Sequence, residues 1–344
     1  MISRFSLIGW CLLSVCVACG AQDEQGIGEG EALATLPEHA VSMAIADHRA
    51  IAAGYFYLKE IDLVTGATTD LPALDNARWL EWSAVDRAAF VDEEFMHFSG
   101  NKAYFPTPGV TNTPTVYELD VSTGAVRDFV VSEPAEYARP RLLRALSGSA
   151  GTLYAETLSP NPALWEIDPA SGAWKQLASW GSNATSGGPI FADSEAIYAG
   201  GQLQISNTEA GMIRWDRATR TSATVASFDA ISRITADEAY VYVSGARQGD
   251  WGIYRVPNRG GSPERLLARA PADAIVTGLV VDDEFLYFSE QLRVLRLAKR
   301  GGEAVVLAEH TLPGLYRSLR LHSGQLFWLD DNGEQTIVRR VMAK

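Results

Sequence analysis

Three acidic clusters in this sequence have the residue types that bind hard cations. They are Asp92-Glu93-Glu94, Asp282-Asp283-Glu284 and Asp330-Asp331-Asn332-Gly333. Carboxylate and carbonyl oxygens at such turns are the ligands that Ca²⁺ prefers. None of the clusters has the full alternating Asp-x-Asp-x-Asp-Gly spacing, and Asp is common in turns because its carboxylate bonds to nearby backbone. We therefore interpret the three clusters as solvated turns and predict no metal site.

The histidines and serines also lack a spacing typical of catalysis. The five histidines, His39, His48, His97, His310 and His322, form no His-x-His or Glu-x-x-His pair, whereas zinc and iron sites need several converging ligands. We interpret most of them as rim or loop residues. Ser149 in "SGSAG" lacks the Gly-x-Ser-x-Gly order of a nucleophile elbow. A pair of carboxylates for glycoside hydrolysis stays an open alternative, because the separation of the two groups is a three-dimensional quantity, but no residue indicates one. We predict no catalytic residue and no cofactor.

Four tryptophans lie between or beside the apolar runs of the chain. They are Trp79, Trp82, Trp180 and Trp251. An exposed tryptophan at such a position suits stacking on a sugar or gripping a protein partner. Burial between packed elements is the alternative interpretation of each one.

The cysteines all lie at the N-terminus, at Cys11, Cys16 and Cys19. The rest of the chain therefore contains no disulfide, thiolate metal site or cysteine nucleophile. The first 20 residues carry one positive charge, at Arg4, before an apolar stretch, which is typical of a secretory signal peptide. That stretch is too short to span about 30 Å of hydrocarbon.

The end of this segment resembles the signal of bacterial lipoproteins, in which Leu, a small residue and Ala or Gly precede a lipidated cysteine. Ala18 and Cys19 match, while Cys16 stands where Leu is usual. The resemblance implies lipidation of Cys19; the alternative is ordinary cleavage after a small residue, which gives a soluble exported protein. We predict a signal peptide over residues 1–18 and a flexible tether over 19–30. The protein would then be lipid-anchored in the bacterial cell envelope, at the outer membrane or the periplasmic face.

A repeat extends over the rest of the chain. Seven runs centre on aromatic residues 40 to 50 positions apart, at Tyr55, Tyr104, Tyr154, Tyr198, Tyr242, Tyr287 and Phe327. Such a period, with β-branched and aromatic strands between turns, is typical of a β-propeller blade. The last repeat stops one strand short, and "EALATL" at Glu31 resembles an outermost strand. We predict an all-β, seven-bladed propeller over residues 31–344, closed by an N-terminal strand that completes the last blade.

The turn after each third strand is also regular. It ends in glycine at Gly66, Gly124, Gly172, Gly261 and Gly302, but in Arg220 in the fourth repeat. Glycine supplies the positive φ that tight hairpins need. Because arginine rarely adopts that conformation, we expect the turn at Arg220 to differ.

The runs "LFWLD" and "LYFSE" resemble degenerate forms of the Tyr-Trp-Thr-Asp repeats of low-density-lipoprotein-receptor propellers. The whole repeat resembles the bacterial propeller domains of that kind that are common in secreted lipoproteins, and it is similar to TolB-type propellers. The resemblance implies the propeller fold. "DPASGAW" at 168–174 is similar to the blade end of quinone-dependent dehydrogenases, but its glycine-to-Trp spacing is one residue short, so we interpret it as a hairpin with a packed tryptophan.

One position of the repeat divides the blades by charge. It lies just before the last apolar residue of each third strand and is Glu60, Glu118 and Glu166 in three blades, then Arg214, Arg255, Arg296 and Arg340 in four. Equivalent positions of a propeller lie on a circle. We therefore predict an acidic and a basic arc, with opposite charges meeting at Glu166–Arg214 and Arg340–Glu60.

The composition argues against a nucleic-acid partner, and we predict none. The chain has 344 residues and a formal net charge of −13, and nucleic-acid binding depends on clustered Lys and Arg. We predict a monomer that serves as a binding or scaffold module for an envelope protein or glycan and contacts the membrane through its lipid. The alternative is a propeller lyase or hydrolase acting on an envelope polysaccharide or peptide.

Overall fold

The computed structural model describes residues 28–37, 40–54, 57–71, 96–106, 115–130, 143–149, 151–157, 163–179, 187–202, 210–269, 276–290, 292–309 and 315–344. These residues form seven four-stranded antiparallel sheets. Six sheets are built from consecutive strands, and the seventh combines strands from both ends of the chain. The predicted seven-bladed β-propeller is thus confirmed.

The strands of the first four blades, from innermost to outermost, have the following bounds. The first blade contains β2 (Ala40–Ala46), β3 (Arg49–Gly54), β4 (Leu58–Asp62) and β5 (Thr68–Asp70). The second contains β6 (His97–Ser99), β7 (Lys102–Pro106), β8 (Thr115–Asp120) and β9 (Val126–Val130). The third contains β10 (Leu143–Ser149), β11 (Thr152–Thr157), β12 (Ala163–Ile167) and β13 (Trp174–Ser179). The fourth contains β14 (Gly187–Ala192), β15 (Ala196–Gln202), β16 (Ala210–Asp216) and β17 (Thr221–Phe228).

The last three blades follow the same order. The fifth contains β18 (Ala230–Ala236), β19 (Tyr240–Arg247), β20 (Asp250–Pro257) and β21 (Glu264–Arg269). The sixth contains β22 (Val276–Val281), β23 (Phe285–Glu290), β24 (Arg293–Ala298) and β25 (Val305–Glu309). The seventh contains β26 (Leu315–His322), β27 (Gln325–Asp331), β28 (Thr336–Met342) and β1 (Glu31–Leu36).

The innermost strands of neighbouring blades contact one another in order around a closed ring. Hydrophobic cores fill the spaces between blades, because each blade packs face to face with the next. Second strands are therefore buried on both faces, as in β23, where Leu286, Tyr287 and Phe288 are all fully buried. Gly278 shows how close the inner strands come, since a Cβ there would lie 2.5 Å from that of Leu319 in the next blade.

The repeat register is confirmed in six blades and corrected in the first. Tyr104, Tyr154, Tyr198, Tyr242, Tyr287 and Phe327 all lie on second strands, each opposite its charged third-strand residue. In the first blade Ile51 lies opposite Glu60. The alignment on Tyr55, which lies outside the described residues, was therefore wrong, because the first blade has an aliphatic residue at this place.

The turn at Arg220 has the same form as those at Gly66, Gly124 and Gly172, contrary to our expectation, whereas the turns at Gly261 and Gly302 have a different hydrogen bond. Arg220 adopts a φ of 58° and its N–H donates to the carbonyl of Asp216 at 2.8 Å. Gly66 makes the same bond to Asp62, also at 2.8 Å. The Asp216 carboxylate accepts a bond from the N–H of Thr219 at 2.8 Å. This side-chain bond holds the turn in shape and forces arginine into the left-handed conformation.

The N-terminal strand closes the ring as predicted. β1 pairs with β28 from Glu31 opposite Arg340 to Leu36 opposite Thr336. The Arg340 guanidinium binds the Glu31 carboxylate at 2.7 Å. Gly28 and Glu29 already contact the ring, because the carbonyl of Gly28 accepts a bond from Glu309 and Glu29 pairs with Arg339.

Among the described residues no helix is long and apolar enough to cross a bilayer. The predicted signal segment, with Cys19, lies outside the described residues.

Candidate functional site

The innermost strands differ in charge from the rest of this acidic protein. They contain no aspartate or glutamate, yet they carry four arginines and two histidines: Arg144, Arg233, Arg317, Arg320, His97 and His322. These strands surround the ring axis, so the innermost strands of a molecule whose formal net charge is −13 carry basic residues and no acidic ones.

The register places these residues at two levels along the axis. His97 and Arg320 pair with the equivalent second-strand residues of blades two and seven, and therefore lie at one level. Between them the first blade presents only Ala44. The second level is closer to the start of the inner strands than the first by two residue pairs of the sheet. It carries Ser42, Arg233 and Arg317. Small residues thus separate the basic side chains around the axis.

His97 is held in its neutral form. Burial, followed by the nearby Arg320 guanidinium, lowers the pKa of His97 to about 4. The imidazole packs against the third blade, since a Cβ on Gly148 would lie 2.3 Å from Nε2 of His97. This histidine is therefore not a rim residue, as we had interpreted most of the histidines. His48 lies in a turn and His322 at the end of β26; His39 and His310 lie outside the described residues.

Arg317 is a buried cation with a weak partner. Its side chain is 10% exposed, and Nη2 lies 3.9 Å from Oδ2 of Asp331. Its Nε and Nη1 atoms make no hydrogen bond within the described part of the chain. The Ser42 hydroxyl is buried and also makes no hydrogen bond there. The two groups belong to adjoining inner strands, because the N–H of Met43 donates to Oγ of Ser318 at 3.1 Å.

Buried ion pairs lie one strand further out. Asp330 is 1% exposed and accepts a 2.5 Å bond from Nε of Arg339, which also binds Glu29. Glu290 is 1% exposed and pairs with Arg293 at 2.6 Å and with Arg269 of the preceding blade. Carboxylates this deeply buried require cationic partners. The interpretation of Asp330 and Asp331 as a solvated turn was therefore wrong.

In the acidic turn of the sixth blade Asp283 and Glu284 are exposed, as expected of a solvated turn, while Asp282 also holds the turn in shape. Asp282 accepts hydrogen bonds from the backbone of Glu284 and Phe285 and from the hydroxyl of Tyr287, at 2.7 to 2.8 Å. No group of three or more His, Cys, Asp or Glu residues suited to a metal occurs among the residues that the structure describes. The cluster at Asp92 lies outside them.

The seven charged third-strand residues do occupy equivalent register positions, but their predicted contacts are different. Glu166 pairs with Arg220 of the next blade at 3.2 Å, while Arg214 binds Asp216 at 2.7 Å. Arg340 binds Glu31 and donates to the carbonyl of Leu63 in the first blade. Arg296 lies over the ring of Phe285 at 4.7 Å. Local partners therefore neutralise much of the predicted charge separation.

The remaining candidates from the sequence are a serine and the tryptophans, and those within the described residues make structural contacts or are partly buried. Ser149 ends β10, and its Oγ accepts a 3.4 Å bond from Arg217. Trp174 packs edge-on against Trp165 with ring centroids 6.1 Å apart, as expected of a hairpin tryptophan. Trp251 is partly buried at the start of β20. Trp79, Trp82 and Trp180 lie outside the described residues.

Sequence reasoning missed the inner-strand cations and the buried ion pairs. One signal was available, since Arg233, Arg317 and Arg320 interrupt apolar runs that start their blades. The partners were not visible, because Arg269 and Glu290 or Glu29 and Arg339 meet only across blades.

Comparison with solved structures supports the same fold. The chain is similar to BamB from Moraxella catarrhalis, with 15% identity, a TM-score of 0.51 and coverage of 87% of this chain and 83% of that one. It is similar to catalytically inactive virginiamycin B lyase from Staphylococcus aureus, with 11% identity, a TM-score of 0.61 and coverage of 89% and 96%.

A third similar structure is PorZ, described as an essential bacterial surface component of the type-IX secretion system of Porphyromonas gingivalis. Its identity is 11% and its TM-score 0.58, and the match covers 92% of this chain but 38% of PorZ. No protein-family model matches the chain, and no curated protein matches its sequence. Identities this low indicate a shared fold only.

Proposed function

We propose that this protein is an exported propeller of the bacterial cell envelope, anchored through a lipid on Cys19, which binds a protein or glycan partner and is not an enzyme. The signal-like N-terminus supports export and anchoring. PorZ, as its description states, is a surface component of a secretion system. A shared propeller does not transfer that role by itself, so the choice of a binding function depends on the shape of the ring.

The observation that carries the proposal is the difference between the two ends of the ring. We call the end with the first-to-second and third-to-fourth strand turns the turn face, and the opposite end the loop face. Connections on the turn face are short, as between Ala46 and Arg49 or Ser99 and Lys102. Loop-face connections include residues 71–96, 107–114 and 131–142. Long loops on a rigid scaffold are where binding residues concentrate.

The aromatic residues follow the same division. Trp79 and Trp82 belong to the connection over residues 71–96, and Trp180 to the connection between β13 and β14. Trp251, the described member of the set, is partly exposed at the loop-face end of β20. Tryptophans on a partner surface supply large contact areas and often dominate its binding energy.

The rival function is that of a propeller lyase or hydrolase. The observation that favours it is the pair His97 and Arg320, a neutral imidazole near a guanidinium at the ring axis. Such a pair could take up a proton and stabilise an anion. Loss of a polysaccharide- or peptide-cleaving activity in His97→Gln would support this function over ours.

The test of partner binding is co-purification after mild detergent extraction. We expect wild-type protein to retain a defined envelope protein or glycan, and Trp251→Ala to lose most of it while circular dichroism shows a folded sheet. Met342→Ala is the matched control, because Met342 is an exposed apolar residue (58%) on the turn face. Equal retention by the two variants, or nothing retained by wild type, would contradict the proposal.

A further inference from the structure

The loop-face half of the ring axis has the chemistry of an oxyanion site. Arg233 and Arg317 lie at the same level of the ring, in blades five and seven. The sixth blade between them presents Gly278, which has no side chain, at that level. The inner strand of the seventh blade packs directly on Gly278, where a Cβ would lie 2.5 Å from that of Leu319. The register therefore places two arginines at one level of the inner strands, in blades that are not adjacent.

Arg317 provides the most direct indication of a ligand. A guanidinium has five N–H donors in a planar fork, and leaving buried charged donors unpaired costs free energy. Nε and Nη1 of Arg317 have no hydrogen-bond partner among the described residues, and its ion pair with Asp331 is long at 3.9 Å. A carboxylate, sulfate or phosphate oxygen would satisfy this fork in the bidentate geometry that arginine favours.

Two further polar groups lie on the same or the adjoining inner strand. Ser42 is 2% exposed and lies in the adjoining blade at the level of Arg317. Its hydroxyl has no hydrogen-bond partner in the described part of the chain. Arg320 adds a second cation on β26, at the level of His97. No carboxylate occurs on any of the described inner strands. The nearest acids, Asp330 and Asp331, belong to the second strand β27, and Asp330 is already bound by Arg339.

We propose that Arg317, supported by Ser42, binds an oxyanion group of a ligand on the ring axis. The chemical class is a small molecule or chain end that carries a carboxylate or a phosphate, such as an acidic sugar or a phosphorylated sugar. This site is independent of partner binding at the loop-face tryptophans.

The test is isothermal titration calorimetry of the full chain in mild detergent with three probes: inorganic phosphate, glucuronate and glucose. We expect saturable binding of phosphate or glucuronate at one site and no binding of glucose. Preference for phosphate would indicate a phosphorylated ligand, and preference for glucuronate an acidic sugar. Absence of saturable binding for both anions would overturn the proposal.

Variants locate the site. Arg317→Gln should weaken anion binding by about tenfold or more, because a charge-assisted bidentate pair is lost. Arg220→Gln is the control, since Arg220 is an exposed arginine of the turn face, and should bind as wild type does. If Arg317→Gln does not fold, Arg317→Lys decides: it keeps the charge but loses the planar fork, so affinity should still fall several-fold. Unchanged affinity in the folded variant would exclude Arg317 from the site.

Discussion

Single carboxylates in the turns link neighbouring blades. Asp237 accepts a 2.9 Å bond from the hydroxyl of Tyr242 and pairs with Lys299 of the next blade at 2.6 Å. Although burial raises the pKa of Asp237, the bonds from Lys299 and from the backbone of Tyr240 and Ala239 outweigh it and hold that pKa below its usual value. Such a carboxylate stabilises the fold above the unfolded-state pKa and loses this effect as the pH falls through the folded-state value.

His97 contributes to the pH dependence of folding stability in a different pH range. Its pKa is about 4 in the folded protein and about 6.5 when exposed, so below pH 6.5 the unfolded chain binds a proton that the folded chain does not. Stability should therefore fall as the pH drops from about 6.5 to about 4.

We expect His97→Gln to lack this component, which is on the order of 1–3 kcal/mol in the free energy of unfolding. Urea unfolding across this pH range measures it. His322→Gln, which changes the histidine at the end of β26, should keep the wild-type slope. A His97→Gln curve parallel to that of wild type would show that His97 does not titrate as described.

At the scale of the element, β1 is the strand on which ring closure depends. Leu36 is 2% exposed and packs in the core between the seventh and first blades with Leu329 and Val338. Thr35, the preceding residue of the same strand, is exposed. Buried and exposed residues thus alternate at the end of β1, as in a strand with one face on the core. By pairing with β28, β1 covers the edge of that strand.

Leu36→Ala should lower the free energy of unfolding by about 2–4 kcal/mol, because it leaves a cavity at the closing blade. Thr35→Ala, in the same strand, should stay within about 0.5 kcal/mol of wild type. Urea denaturation of the two variants gives both values. Similar small effects from the two substitutions would mean that the strand does not hold the ring closed.

At the scale of the whole molecule, the propeller is established while its anchor and its partner are proposals. The likeness to Tyr-Trp-Thr-Asp repeats stays an interpretation of the sequence. The anchor has a direct test at Cys19, which precedes the first described residue, Gly28, by a short segment.

Cys19→Ala should abolish metabolic labelling by a fatty acid and release the protein from membranes, because a lipid chain is the expected attachment. Membrane fractionation and labelling of wild type and variant measure both effects. Cys11→Ala, within the apolar stretch, should leave labelling intact. Wild-type protein that carries no label would contradict lipidation.

The sequence predicted architecture better than chemistry for a physical reason. Blades are local units, so turns such as Gly66 and core positions such as Tyr287 recur at a similar spacing along the sequence. Ile51 was missed because any large apolar side chain fills that core position. Arg317 and Glu290 were missed because their environments depend on which residues of other blades lie beside them.

The pairing of β1 with β28 also sets the order of events when the protein is made. Glu31 and Arg340 are 309 positions apart, whereas every other sheet forms from neighbouring segments that can pair as soon as they emerge. β1 is made before the other strands of the ring and is without its partner until β28 arrives. For a chain that crosses a membrane, as proposed, the ring would therefore close only after β28 has crossed. Until then two open sheet edges would need protection from aggregation.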